Sequence, residues 1–269
     1  GQGITNAVGM ALAEKLLAAE FNRPGHAVVD HRTWVFLGDG CLMEGISQEA
    51  ISLAGVWKLN KLTALYDDNG ISIDGAVTSW FADDTAGRFR ACGWNVVGPV
   101  DGHDIDALDA ALQQARASAD RPTLVICRTT IGKGSPARAG TAKSHGEPLG
   151  KDEIAATREA LGWSAAPFEV PGDVAAAWNA RATGADAQGA WRAGWEAYRS
   201  AFPAEAAELA RRMAGELPRD FETDLLGWIA EAQLKAETVA SRKASQKSIA
   251  RLAPALPELL GGSADLTGS

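Results

Sequence analysis

The chain has 269 residues, enough for one or two domains with a sizeable buried core. Hydrophobic residues make up 46% of it and charged residues 22%, the balance of an ordinary globular protein. The net charge of −8 argues against nucleic acid or an anionic membrane surface as the main partner. A phosphorylated ligand stays open, because a helix end or a bound metal ion reverses the sign of the charge locally.

The three cysteines, Cys41, Cys92 and Cys127, lie far apart without the spacing of a redox or metal motif. They favour small core residues in a reducing compartment over a disulfide framework, so we predict a cytoplasmic location. No apolar stretch is long enough to span a membrane. The chain does not begin with Met and opens directly on a helical pattern, so we expect both of its ends to be cuts.

The first half of the chain alternates between helical and strand patterns. Apolar residues recur at helical spacing over residues 4–21. Residues 33–37 form a short β-prone run, typical of a strand buried on both faces of a parallel sheet. Residues 43–57 are then predicted to be a helix and residues 62–66 a second strand.

The same alternation continues as far as residue 127. Residues 94–97 and 123–127 are strand candidates, and residues 104–118 between them form an amphipathic helix that Asp104 would cap. We expect His103 to help open this helix. Strands alternating with helices predict an α/β fold with a parallel sheet flanked by helices and right-handed crossovers.

Beyond residue 127 the pattern changes. We predict a long loop over residues 131–150, a short helix over 152–161 and an irregular stretch over 163–190. Two helical stretches, over 190–215 and 219–254, are separated at Pro218, and a strand over 256–260 begins a second α/β domain.

Two polar motifs follow neighbouring strand candidates. Gly38-Asp39-Gly40 ends the first strand and Asp68-Asn69-Gly70-Ile71 the second, so both should lie at the carboxyl edge of the sheet, where open α/β folds bind ligands. Gly-Asp-Gly by itself is more often a plain turn. Followed, after 28 intervening residues, by Asn-Gly at the end of a second apolar strand, it becomes a specific signal.

The two motifs suit a magnesium ion that carries a diphosphate. Mg²⁺ prefers oxygen ligands and usually takes few of them from protein and the rest from phosphates and water. The carboxylate of Asp39, the amide oxygen of Asn69 and the backbone carbonyl of Ile71 would supply three. Gly40 would let the backbone approach the phosphates closely.

With these motifs the chain resembles the transketolase family, whose cofactor is thiamine diphosphate. Supporting segments occur in the family's order across nearly the whole chain: GDGCLMEGISQEA (38–50), YDDNGISIDG (66–75), DGHD (101–104), IGKGSP (131–136), SHG (144–146), SRKASQ (241–246) and GGSADL (261–266). The resemblance implies a thiamine diphosphate-binding domain over residues 1–216, a helical linker over 217–237 and the beginning of a pyrimidine-binding domain over 238–269.

The resemblance also implies an activity and an assembly. Similar enzymes move a two-carbon ketol unit from a ketose phosphate, such as xylulose 5-phosphate, to an aldose phosphate, such as ribose 5-phosphate, in the pentose phosphate pathway. They are homodimers that hold each cofactor between two subunits, with Mg²⁺ as the metal and Ca²⁺ or Mn²⁺ as substitutes. The glutamate that activates the cofactor would lie beyond Ser269.

Further residues take roles from the resemblance, each against an ordinary alternative. His145 would bind cofactor and substrate and carry a proton; the alternative is an exposed loop histidine. Arg242 would bind the sugar phosphate, or simply lie on a solvated helix face. Ser269, the last residue, matches a phosphate-binding serine.

Three residues complete the implied cofactor site. Glu44 would belong to a carboxylate network across the dimer interface, or to the first turn of its helix. Ile131 would cover the thiazolium ring, or be a core residue at a strand end. Asp265 lies in a region that contacts the cofactor across the dimer, although an ordinary Asx turn explains it nearly as well.

Two rival interpretations remain. Deoxyxylulose phosphate synthase, dihydroxyacetone synthase and pyruvate dehydrogenase components share the same metal motif, but the SHG and SRKASQ segments favour a transketolase. A non-catalytic binding module would show decay at the ligand positions, yet Asp39, Asn69 and His145 are all present.

Overall fold

In a computed structural model, which describes residues 1–263, a four-stranded parallel sheet has the strand order β1-β2-β6-β5 and carries helices on both faces. This confirms the predicted α/β class. The strands are β1 (Thr33–Gly38), β2 (Leu62–Asp68), β3 (Ile71–Ser72), β4 (Gly75–Ala76), β5 (Asn95–Asp101) and β6 (Thr123–Arg128). The short strands β3 and β4 form an antiparallel hairpin outside the main sheet.

Helices make up most of the remaining structure. They are α1 (Gln2–Phe21), α2 (Asp39–Met43), α3 (Gly45–Val56), α4 (Thr85–Ala91), α5 (Ile105–Arg116), α6 (Lys143–Gly146), α7 (Lys151–Ala160), α8 (Gly172–Trp178), α9 (Arg181–Ala201), α10 (Pro203–Ala214), α11 (Phe221–Lys235) and α12 (Ser241–Leu252), with a 3-10 turn at Val77–Ser79. Among residues 1–263, no helix has both the length and the apolar character needed to cross a lipid bilayer.

The chain divides into two compact units, one of residues 1–190 and one from Trp191 onward. In the first unit, α1 packs on one face of the sheet and α3 packs against α1; Ile4, Ile51 and Leu62 of β2 are almost fully buried in the same core cluster. On the opposite face, Ala111 and Ala115 of α5 lie against β6. Each fully buried aliphatic side chain contributes about 1.5–3 kcal/mol, and this packing fixes the edge of the sheet that carries the polar motifs.

The edge strand β1 is not buried on both faces, so that expectation was wrong. Side chains alternate across a strand, and Leu37 faces the core while Trp34 is 39% and Phe36 78% exposed. The physical reason is the position of β1 at the end of the sheet, where α1 packs on one face, whereas on the other face α5 packs against β5 and β6.

The helix predicted over residues 43–57 is present as α3 (Gly45–Val56), and a short helix that was not predicted, α2, precedes it. This short helix begins at Asp39, directly after β1, and Glu44 adopts an extended conformation with φ −68° and ψ 133° before α3 begins. The cap of the next helix is as predicted, because the Asp104 carboxylate accepts from the N–H groups of Asp106 (3.0 Å) and Ala107 (3.1 Å). Asp104, rather than His103, therefore opens α5.

Two predictions for the second half of the chain were wrong. Residues 163–190, predicted to be irregular, contain α8 and the start of α9, because alanine favours helix even beside glycine and proline. Residues 256–260, predicted to be a strand, form turns and irregular backbone. A strand needs a hydrogen-bonded neighbour, and residues 191–263 contain none. The domain limits at 216 and 237 remain a prediction.

In the second unit, α10 is tied to the following segment by a charged cluster. Glu208 accepts from Arg211 (2.7 and 2.9 Å) and from Arg212 (2.7 Å), and Arg211 also reaches Glu258 (2.9 and 3.0 Å). The hydrogen bonds from Arg211 lower the pKa of Glu208 to about 2, and those from Arg212 act in the same direction. Ionised Glu208 therefore stabilises this unit.

This cluster predicts a pH-dependent stability. A depressed pKa in the folded state contributes stability above the unfolded pKa of 4.5, and that contribution is lost as the pH falls through about 2. Glu208→Gln should therefore lower the free energy of unfolding at pH 7, and the gap from wild type should narrow below pH 4.5. Urea unfolding at several pH values measures this. Glu216→Gln, which removes the same charge from an exposed position, is the control, and a gap independent of pH would contradict the assignment.

Candidate functional site

The two polar motifs lie at the same edge of the sheet. Strand β1 ends at Gly38, which is in register with Asp67 of β2, and Asp67 is in turn in register with Cys127 of β6. Because these strands are parallel, the segments that follow them leave the sheet side by side. The structure thus brings Asp39 to the Asp68-Asn69-Gly70 turn, as the sequence predicted.

Asp39 is a buried carboxylate, only 4% exposed. Its Oδ1 accepts a hydrogen bond from the hydroxyl of Tyr66, and its Oδ2 accepts from the backbone N–H of Gly70 at 3.1 Å. Burial raises the pKa of Asp39, and the negative charge of Asp68 adds to the increase, whereas the Tyr66 hydrogen bond opposes it. Burial, followed by the hydrogen bond to Asp39, raises the pKa of Tyr66.

The environment of Asp39 suits a cation. Within residues 1–263, no lysine or arginine forms an ion pair with this carboxylate, and Asp67 and Asp68 add further negative charge. An ionised carboxylate buried without a positive partner is unfavourable unless a cation binds it. The same residues contain no cluster of three His, Cys, Asp or Glu side chains that could hold a metal. A cation here would therefore also need amide, carbonyl and external oxygens, the set that magnesium accepts.

The turn after β2 presents such oxygens. Gly70 has φ +68°, the left-handed region that glycine enters without strain. Asn69 Oδ1 accepts from the N–H of Ile71 at 3.0 Å, and Asn69 Nδ2 donates to Asp67 Oδ2 at 3.1 Å. The N–H of Val77 donates to the Gly70 carbonyl at 3.0 Å, so the Ile71–Ala76 pair falls between hydrogen-bonded pairs, and its carbonyls point away from the opposite strand.

The long loop predicted over residues 131–150 is compact and folds back on itself. The N–H of Gly140 donates to the Ile131 carbonyl at 2.8 Å, and a Cβ at Gly132 would come 2.5 Å from Ser144 Oγ. Ile131 and the SHG segment therefore lie near each other. His145 is exposed in the single turn of α6.

The loop also reaches the hairpin that carries Ile71. A Cβ at Gly146 would meet Ile73 Cδ1 at 3.4 Å, an ordinary van der Waals distance. His145 thus lies beside the β3–β4 hairpin, although 74 residues separate its position in the sequence from that of Ile71. The segment of Asp39 thus contacts the turn before Ile71 through Gly70, and the segment of His145 contacts the hairpin of Ile71 through Ile73.

A cleft of about 490 Å³ opens beside Ile131. Asp67, His103 and Thr129 contribute its polar lining, and Phe36 and Leu65 part of its apolar lining. His103 Nε2 accepts from the N–H of Thr130 at 2.8 Å, which attaches the start of the loop to the DGHD segment. His103 therefore supports the loop.

The remaining predicted residues are placed as follows. Gly40 is exposed in α2, and a Cβ there would meet nothing within 4 Å, so the space beside it is open. Glu44 lies exposed between α2 and α3, and its Cβ would lie 2.7 Å from a Cβ at Gly1. Arg242 is exposed on α12 in the second unit. Asp265 and Ser269 lie outside the described residues.

Reasoning from sequence missed Tyr66, Asp67 and Thr129. The hydroxyl of Thr129 donates to Asp67 Oδ1, while Asp67 Oδ2 accepts from Asn69, so this carboxylate connects the ends of β2 and β6. Two acidic residues directly before Asn69 were the available signal. Tyr66 fits an ordinary core position in a strand, and Thr129 follows an ordinary strand end.

Comparisons with known proteins identify the family of this chain. Residues 1–218 match the family model described as "Transketolase, thiamine diphosphate binding domain". The chain is 62% identical, over all its residues, to a chromosomal transketolase of Cupriavidus necator, of which it covers 40%. It matches a solved transketolase from Leishmania mexicana with a TM-score of 0.89 and 43% identity, covering 100% of this chain and 39% of that one.

A further solved structure is a transketolase from Pichia stipitis in complex with sedoheptulose 7-phosphate. The match has a TM-score of 0.89 and 41% identity, covering 100% of this chain and 40% of that one. The chain thus spans about 40% of the length of the relatives it matches.

Proposed function

This chain belongs to the transketolase family, and we propose that a protein carrying it transfers a two-carbon ketol unit from a ketose phosphate to an aldose phosphate in the pentose phosphate pathway. The chain would hold the metal–diphosphate end of thiamine diphosphate. One observation carries this proposal: Asp39 is a buried carboxylate with no positive partner in the described residues, and a hydrogen bond from Gly70 joins it to the Asn69 turn.

The proposed magnesium site uses this chain's own oxygens. Asp39 would contribute charge, and Asn69 Oδ1 and the Ile71 carbonyl would complete the protein's share. The open space beside Gly40 would accept the phosphates. Ca²⁺ and Mn²⁺ take the same kind of ligand and are expected to substitute for Mg²⁺.

Other residues would act around the reacting carbons. When bound, thiamine diphosphate supplies the carbon nucleophile that attacks the ketose carbonyl. Ile131, in the wall of the cleft, would cover the thiazolium ring and exclude water. The His145 ring, beside the hairpin that carries Ile71, would donate a hydrogen bond to the substrate and carry a proton.

We propose that the protein is a homodimer with its active site between subunits. Large exposed apolar side chains in the first unit support this, since Phe36 is 78%, Ile46 50% and Val56 72% exposed. Glu44 and Asp265 would act at that interface. A cytoplasmic location also remains a proposal, supported by three free cysteines.

The substrate class predicts a selective effect at Arg242. A charge-assisted hydrogen bond contributes about 1.5–3 kcal/mol, so Arg242→Ala in a full-length protein should raise KM for phosphorylated substrates roughly 10- to 150-fold. Unphosphorylated substrates should be nearly unaffected. Ketol transfer from xylulose 5-phosphate to ribose 5-phosphate, compared with an unphosphorylated donor, measures both the activity and the selectivity.

The neighbouring cation provides the control for this experiment. Lys243 donates to Gln246 Oε1 at 2.8 Å on the same exposed helix, so Lys243→Ala removes an equal charge without removing the planar fork of arginine. Equal losses for phosphorylated and unphosphorylated substrates would assign Arg242 a structural role. No transfer by the unmodified full-length protein would contradict the proposed function itself.

A further inference from the structure

Asp67 lies at the centre of a small hydrogen-bonded group at the carboxyl edge of the sheet. Its Oδ2 accepts from Asn69 Nδ2 at 3.1 Å, and its Oδ1 accepts from the hydroxyl of Thr129. Both oxygens therefore have partners, one in the turn after β2 and the other directly after β6. We propose that Asp67 is a positioning residue that fixes which way the Asn69 amide faces, and that Thr129 holds Asp67 in place. The inference rests on the proposed function of Asn69 as a magnesium ligand.

The chemistry of the two side chains gives this contact a direction. An ionised carboxylate only accepts hydrogen bonds, whereas a primary amide has a donor end and an acceptor end. Asp67 can therefore bind only the NH₂ group of Asn69. The amide oxygen is then directed to the other side, where it accepts from the N–H of Ile71 at 3.0 Å. With both ends of the amide bonded, its oxygen stays on the side of Gly70 and Ile71.

A hydrogen bond joins the same turn to Asp39. The N–H of Gly70, the residue between Asn69 and Ile71, donates to Asp39 Oδ2 at 3.1 Å. If the Asn69 amide were turned the other way, its NH₂ group would take the place of the oxygen. An NH₂ group repels a cation, whereas the Asp39 carboxylate requires a cation. Asp67 thus selects the orientation that a metal ion requires without touching the metal itself.

The strand ends explain why Asp67 can do this. Along β2, Tyr66 contacts Asp39 on one face of the sheet, and Asp67 projects from the opposite face, where the cleft beside Ile131 lies. Asp67 is in register with Cys127, two residues before Thr129, so the hydroxyl reaches it from the neighbouring strand end. A rigid sheet therefore holds the carboxylate on which the orientation of the amide depends.

Magnesium affinity tests the inference. In a full-length protein, Asp67→Ala, which leaves the Asn69 amide without its acceptor, should weaken binding of Mg²⁺ about 10- to 100-fold, the usual effect of losing an outer partner of a metal ligand. Calorimetry in the presence of thiamine diphosphate measures this affinity. At saturating Mg²⁺ the affinity for thiamine diphosphate should recover. Thr129→Val keeps the shape of the side chain at 129 and the charge of Asp67, and it removes the hydroxyl. It should also weaken Mg²⁺ binding, by a smaller factor.

A matched variant separates a positioning role from a general effect of charge. Asp74→Asn removes an equal charge from an exposed position in the same hairpin and should leave Mg²⁺ affinity nearly unchanged. An equal loss in this variant would show that charge alone matters and would overturn the proposal. Unchanged Mg²⁺ affinity in both Asp67→Ala and Thr129→Val would also overturn it. If Asp67→Ala does not fold, Thr129→Val decides alone. Absence of Mg²⁺ binding by the unmodified protein would instead contradict the proposed function.

Discussion

Asp39→Ala in a full-length protein is expected to abolish magnesium-dependent binding of thiamine diphosphate. Losing an outer partner of a metal ligand weakens metal affinity about 10- to 100-fold, so losing the charged ligand itself should exceed about 100-fold. Calorimetric titration of thiamine diphosphate, with Mg²⁺ and with a chelator, measures the effect. The unmodified protein should lose affinity on chelation, whereas the variant should show the same weak binding in both conditions.

The same carboxylate predicts an opposite effect on stability. Asp39 is 4% exposed, its pKa is raised by burial, and no basic residue among those described pairs with it. A buried charge in this position costs stability until a cation binds. Asp39→Asn, which keeps the shape, should therefore leave the metal-free protein as stable as before, or more stable, while binding is lost.

Loss of cofactor binding without loss of stability distinguishes a metal ligand from a structural residue. A residue that mainly holds the fold together would lose stability and binding in parallel, whereas a functional carboxylate exchanges stability for ligand affinity. Asp74→Asn, in the exposed hairpin, is the matched control for removal of charge. Unchanged cofactor affinity in Asp39→Ala would remove Asp39 from the metal site.

The sequence predicted that the Asp39 and Asn69 motifs lie at the same edge of the sheet. This prediction did not require the strand order. Any parallel sheet places the ends of its strands at one edge, and Gly38 and Asp67 are indeed in register there. The strand assignments followed from apolar runs such as Leu124–Ile126, which are almost completely buried in the central strand β6. The helix cap at Asp104 was equally local and was predicted correctly.

What the sequence did not reveal depends on neighbours that are distant in the chain. Tyr66 has the pattern of a core residue, and only the fold shows that its hydroxyl meets Asp39. The exposure of Phe36 could not be read from a run of apolar residues, because it depends on β1 being an edge strand. Helix α8 was missed because glycine and proline at its start outweighed the alanines that follow.

The positions of His145 and Arg242 could be predicted from the local sequence pattern, but their functional roles could not. Local pattern alone favours an exposed loop histidine and a solvated helix face, and both side chains are indeed exposed. Their roles therefore remain proposals, and the substrate selectivity of Arg242→Ala tests that of Arg242.

The last expectation is that this chain, purified alone, shows no ketol transfer even with Mg²⁺ and thiamine diphosphate in excess. The chain spans about 40% of the length of its relatives. We propose that the glutamate that activates the cofactor is not among these 269 residues. The described residues would hold the diphosphate through Asp39 and Asn69. They would leave the pyrimidine ring, at the other end of the cofactor, without a binding pocket to guide it.

Loss of that guidance is expected to remove activity altogether. Holding reactants in the correct geometry supplies roughly 7–11 kcal/mol of a barrier, equivalent to about 10⁵- to 10⁸-fold in rate. The measurement is formation of the transferred sugar phosphate, detected by mass spectrometry, by the chain alone and then after mixing with a polypeptide that carries the remaining sequence. Recovery on mixing would support a site assembled from separate parts. Turnover by the lone chain would show that the whole active site, including a group that activates the cofactor, lies within these 269 residues.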